Sequence, residues 1–170
     1  MLKNFKDGSD VSGSSATAKG EKNDCVVRAV ANSFDVNYEQ AHTFVADKFK
    51  RRKGNATYYT NAKMKKLAKE VLEFAPEGQM DLFEDSEIKT VTIKHIGDEP
   101  KRGGKLINRK YKHKKVPYTV KTFAQTYKRG NYFVLVNKHA LAIKNGVVVD
   151  NSNYQFDGYR RVVTSAFKVK

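Results

Sequence analysis

An α+β domain is what this sequence predicts, and three observations predict it. Apolar residues recur at helical spacing through the first half, they alternate in short runs through the last third, and capping or turn residues separate the runs. A chain of 170 residues is long enough to bury a core without covalent staples, so one domain with one main site is expected. There is no internal repeat and no sign of a second domain.

Residues 1–20 contain GSDVSGSSATAKG, almost without apolar content, and read as a flexible Gly/Ser-rich arm ahead of a single domain at 21–170. Asn23 and Asp24 then offer capping side chains to a helix that Cys25 opens, with Val26, Val27, Val30 and Phe34 at helical spacing. A second helix begins at Asn37, since Asn37-Tyr38-Glu39-Gln40 has the form of a capping box and Tyr38, Ala41, Val45 and Phe49 follow on one face. It ends in the basic run KFKRRKG. After Thr60 a third helix is expected from Met64, Leu67, Ala68, Val71 and Leu72, closed by Pro76 and Gly78.

An acidic stretch at 77–87 precedes a strand in which Val91, Ile93 and His95 alternate with Thr92 and Lys94. Residues 101–115, KRGGKLINRKYKHKK, hold eight Lys or Arg and no acid, and self-repulsion predicts a loop. Pro117 and Thr119 introduce a short helix carrying Val120, Phe123 and Tyr127, stopped by Gly130. The remainder, NYFVLV, HALAIK, GVVVD and RRVVTSAFKV, reads as an antiparallel meander on which the helices pack.

Composition narrows the function classes. Cys25 is the only cysteine, which excludes an intramolecular disulfide and a zinc site on paired thiolates and fits a reducing compartment. The opening MLKNFKDGSD lacks a secretion-signal pattern, and the longest apolar runs, YFVLV and GVVV, are too short for a bilayer. A cytoplasmic protein with no membrane role is therefore expected. Thirty-three Lys plus Arg against 18 Asp plus Glu give a formal charge of +15, an imbalance that attracts polyanions. Lys101, Arg102, Lys105, Arg109, Lys110, Lys112, Lys114 and Lys115 are the candidate contacts to nucleic acid or an acidic partner, although solvated surface is the blander reading.

The candidate chemistry starts from Cys25. A thiol attacks as thiolate, and the first turn of a helix, with unpaired N–H groups and the positive end of the macrodipole, favours that charge. Ala29, one turn later, leaves room for a strand. The partner would be an imidazole. Of the four histidines, His42 lies within a helix, His95 within an early strand and His113 in the basic run, whereas His139 opens a strand beside a tight turn. Register selects the third member: a two-residue hairpin at Asn145-Gly146 pairs Lys144 with Val147 and sets Leu141 opposite Asp150. His139 and Asp150 then share a face at about 5 to 8 Å between backbones. Asn151 points the other way and is the reserve orienting residue if a bulge intervenes.

These segments resemble a family. Asn23-Asp24-Cys25 opening a helix, Gly130-Asn131-Tyr132 leading a strand, Lys138-His139-Ala140 and Gly146-Val147-Val148-Val149-Asp150 resemble papain-like cysteine peptidases in the order Cys, His, Asp/Asn. The resemblance covers roughly residues 21 to 151, as pattern, and is closest to small phage-encoded members and to peptidase domains of bacteriocin exporters. It implies a papain-like fold, N-terminal helices packed on a C-terminal antiparallel sheet, and amide hydrolysis of a protein or peptide through an acyl-thioester on Cys25, with no cofactor or metal. It also implies a place in the host-cell cytoplasm or a phage particle. Such enzymes commonly place a Gln six residues before the nucleophile; here that residue is Lys19, and Asn23 with the Cys25 backbone N–H is the substitute oxyanion donor. Acyl transfer would use the same three residues. The rival reading is a papain-like fold without catalysis, serving as a basic nucleic-acid-binding or virion-associated protein.

Overall fold

The computed structural model describes residues 4–13, 15–57, 83–87, 91–96, 112–151 and 160–169. The expected third helix and residues 101–110 lie outside them. In chain order the elements are β1 (Phe5–Asp7), a 3-10 turn (Ser9–Ser12), α1 (Cys25–Phe34), α2 (Tyr38–Phe49), β2 (Phe83–Glu87), β3 (Val91–Ile96), β4 (Lys112–Pro117), α3 (Val120–Thr126), β5 (Asn131–Val136), β6 (His139–Lys144), β7 (Val147–Asp150) and β8 (Val163–Val169). The class is α+β.

Local signals account for most of these boundaries. The Asn37 side chain accepts from the Gln40 N–H at 2.8 Å while Gln40 returns a bond to the Asn37 N–H, so α2 starts with a complete capping box. Thr119 and Thr122 form the same reciprocal arrangement at the head of α3. Asn145 (φ 49) and Gly146 (φ 75) both occupy the left-handed region, as the tight turn between β6 and β7 requires. A Cβ on Gly146 would also sit 3.1 Å from the Ala124 carbonyl.

The main sheet runs β1-β7-β6-β5-β8-β2, with β3 and β4 forming a separate two-stranded ribbon. One face packs Phe133, Leu135, Ala140, Phe167 and Val169 against α1 and α2. The other packs Tyr132, Val134, Leu141, Ile143 and Val148 against Val120 and Phe123 of α3. Burying each of these larger side chains is worth about 1.5–3 kcal/mol, so the central hairpin β5–β6, apolar on both faces, is held by core packing from both sides.

Four expectations are corrected. The sheet is mixed: β1 adds parallel to β7, pairing Phe5 with Val148, Lys6 with Val149 and Asp7 with Asp150. The expected flexible arm at 1–20 is thus in part a paired strand, because Phe5 packs, partly buried, against the α3-side core and backbone pairing to an open edge offsets the poor apolar content around it. Nor does the last strand continue the meander. It leaves the β7 edge to β1 and pairs antiparallel with β5 instead, Phe133 with Phe167 and Val134 with Ala166. Lys112, Lys114 and Lys115 fall in β4 and not in a loop, level with Ile96, Lys94 and Ile93.

Candidate active site

Helix α1 is laid along β6 and fastened at both ends. Ten residues of helix span about 15 Å, and the five steps from His139 to Lys144 span about 17 Å, so the two elements match in length. At the far end Asp35, the left-handed C-cap of α1, receives Asn131 Nδ2 at 3.0 Å and the Lys144 ammonium. The near end sets Cys25 beside His139.

His139 is 5% exposed. Its Nε2 donates to the Asp150 carboxylate, 2.8 Å from Oδ2 and 3.0 Å from Oδ1. A carboxylate only accepts, so Nε2 carries the hydrogen and Nδ1 is the nitrogen left for Cys25, whose side chain is hydrogen-bonded to the same ring. Burial, the largest single influence, pulls the imidazole down. The Asp150 and Cys25 hydrogen bonds and charges outweigh it and push His139 up to about 9. The ring therefore keeps its proton in spite of burial, with Asp150 on one side and Cys25 on the other.

Asp150 reaches this position by register. Lys144 pairs with Val147, Ile143 with Val148 and Ala142 with Val149, so one further step sets Leu141 level with Asp150 and His139 diagonal to it on the same face. Its Oδ1 also receives the Asn151 N–H at 2.8 Å, and its carbonyl receives the Gly8 N–H at 2.8 Å. Asn151 thus contributes its backbone to the orienting carboxylate, and the ring itself is held by Asp150.

Cys25, Ala29 and Asn32 line one side of a narrow cleft, and Asp150 and Asn151 line the other, with Gly8 between. Gly8 has no room for a side chain: a Cβ there would lie 2.9 Å from Asn32 Nδ2 and 3.0 Å from Val149 Cγ1. Cys25, which forms no disulfide, is partly exposed and packs against the α1–α2 core.

Two expectations near the nucleophile change. Asn23, with left-handed backbone (φ 56), turns its amide toward the Gly54 carbonyl at 3.4 Å, so the substitute oxyanion donor is directed at a loop. Asp24 occupies the N-cap position of α1 without making a side-chain cap bond. Its Oδ2 instead accepts from Tyr38 Oη at 2.7 Å and Arg28 Nε at 2.9 Å.

Sequence reasoning missed a second buried cluster. Glu21 and Arg51, both with side chains 0% exposed, pair at 2.8 Å, and Glu21 also receives the Gly54 N–H at 2.9 Å. His42 Nε2 lies 3.0 Å from Glu21 Oε1 and 3.2 Å from Arg51 Nη1. No short-range signal marks this set, because 30 residues separate Glu21 from Arg51.

Among the described residues no group of His, Cys, Asp and Glu is arranged to hold a metal ion, and no helix is long and apolar enough to cross a membrane. No protein-family model, curated protein or solved structure matches the chain.

Proposed function

We propose that the chain is a papain-like cysteine-dependent amide hydrolase acting on a protein or peptide. The observation that carries the reading is one buried imidazole bonded on one side to a carboxylate and on the other to a thiol at a helix N-terminus. In this reading His139 takes the Cys25 proton and the sulfur attacks as thiolate. The sulfur attacks the amide carbonyl, forming a C–S bond while the carbonyl electrons move to oxygen. The Cys25 N–H and the first-turn N–H groups of α1 receive that oxyanion.

Collapse of the tetrahedral adduct breaks the C–N bond, and His139 Nδ1 delivers its proton to the departing amine. The acyl-thioester remains. A water molecule then attacks it, giving a proton to His139 and expelling the thiolate with a free acid as product. Asp150 keeps the Nε2–H aligned and balances the ring's charge throughout.

Iodoacetamide should alkylate Cys25 in the native protein at neutral pH at least about tenfold faster than in unfolded protein, since an ordinary thiol is mostly protonated there. Equal rates would remove the basis for an activated sulfur. A quenched peptide library should then be cleaved by the native chain and not by Cys25→Ser.

The formal charge of +15 favours a second reading, a basic protein that binds nucleic acid on the host-cell or virion side of a phage cycle. Salt-sensitive retention on DNA or RNA that survives Cys25→Ser, with no peptide cleaved, would support it over hydrolysis.

A further inference from the structure

Asp24 directly precedes the proposed nucleophile and stands at the N-cap of α1, where an aspartate ordinarily accepts from first-turn N–H groups. Its backbone, at φ −97 and ψ 20, lies outside the extended region that a capping side chain uses, and no cap bond forms. The carboxylate, 9% exposed as a residue, is turned instead toward α2, between the Tyr38 hydroxyl and the Arg28 guanidinium. Tyr38 is 1% exposed, and the Arg28 guanidinium stands 5.9 Å from its ring centre. Burial first, and the Asp24 bond second, raise the Tyr38 hydroxyl, so it remains a donor.

Two effects meet at Cys25. A capping carboxylate would occupy the first-turn N–H groups, and an uncompensated one would oppose a thiolate on the next residue. We infer that Asp24 is a positioning residue: Tyr38 and Arg28 hold its carboxylate neutralised and off the helix end, leaving the positive end of α1 to the sulfur and to a developing oxyanion. The inference rests on reading Cys25 as the nucleophile. Among the described residues, the charged and titratable groups facing Cys25 are His139 from β6, Asp150 from β7 and Arg28 from α1. Those acting on or through Asp24 are Tyr38, Arg28, Glu21 and Arg51.

The test is the rate of Cys25 alkylation by iodoacetamide across roughly pH 5 to 9. Arg28→Gln leaves Asp24 with the Tyr38 hydroxyl but without its cation, and should move the profile up about one pH unit, slowing the reaction about tenfold at pH values below the native midpoint. The double variant Asp24→Asn with Arg28→Gln should return to within about twofold of the native rate. A double variant as slow as the single means that Arg28 acts on the sulfur directly, and overturns the inference; so does a native rate in Arg28→Gln. If circular dichroism shows that the Arg28 variants are unfolded, Tyr38→Phe keeps the ring and should slow alkylation about threefold by releasing one hold on Asp24. An unchanged rate there overturns the inference too. A native protein whose own profile matches a free thiol defeats the hydrolase reading and this inference together, whereas an activated native thiol indifferent to these variants defeats this inference alone.

Discussion

Among the described residues two histidines each face a carboxylate at hydrogen-bond distance, His139 on Asp150 and His42 on Glu21, and they are built for different ends. At His139 the ring lies between two groups that favour its proton, and its second nitrogen meets a thiol beside a cleft. At His42 a single nitrogen lies between Glu21, which only accepts, and Arg51, which only donates. One proton cannot serve both. Arg51 already satisfies Glu21 there, so the imidazole is an adjunct to a structural ion pair that ties the segment before α1 to the loop after α2. A histidine–carboxylate contact thus means little alone; the third group decides whether it suits chemistry or cohesion.

The sharpest way to break the comparison is to delete each histidine. His139→Ala should lower peptide cleavage by about 10²–10⁴-fold, the range for losing a general acid–base, with the fold retained by circular dichroism. His42→Ala should leave cleavage within about threefold of native. Equal losses would mean that both clusters serve the reaction.

Next in size is Arg51→Met, which strands the buried Glu21 carboxylate and should cost about 3–5 kcal/mol in urea unfolding. Alkylation of Cys25 in the fraction still folded should be unaffected.

Opposite pH windows separate the pairs without mutation. His139 has its folded value raised from 6.5 to about 9, so its contribution to stability is complete below 6.5 and is lost as pH rises through 9. Glu21 is lowered from 4.5 to about 2. Burial, the largest influence, opposes that shift, and bonds from Arg51, Gly54 and His42 overcome it. Its contribution is present above 4.5 and is lost as pH falls through 2. Urea midpoints should therefore fall at both extremes, and Asp150→Asn should flatten only the alkaline side.

Asp150→Asn against Asn151→Ala distinguishes the two candidate orienting residues. The first should reduce cleavage at least about tenfold and the second less than about twofold. Gly8→Ala should cost about 1–2 kcal/mol in urea unfolding as the new methyl displaces Asn32 and Val149.

Much of the site was legible before folding. Cys25 at the head of a helix, the Asn37 capping box and the Asn145-Gly146 turn each depend on residues within a few positions of one another. The turn was the most productive, because fixing one pair fixed every later pair and so chose Asp150 over Asn151. Asp24 shows where that logic stopped. Its identity promised a cap, but a tyrosine 14 residues away took the carboxylate.

The sequence by itself determined the α+β class, where α1, α2, α3 and the central hairpins begin, and the diagonal placement of His139 and Asp150. Only the tertiary structure decided that β8 pairs with β5 and β1 with β7, that Glu21 finds Arg51, and that Cys25 meets His139. The reason is one of range. Caps, turns and periodicity are satisfied by neighbours along the chain, whereas a strand's partner or a buried charge's counterion is chosen by which distant surfaces exclude water together.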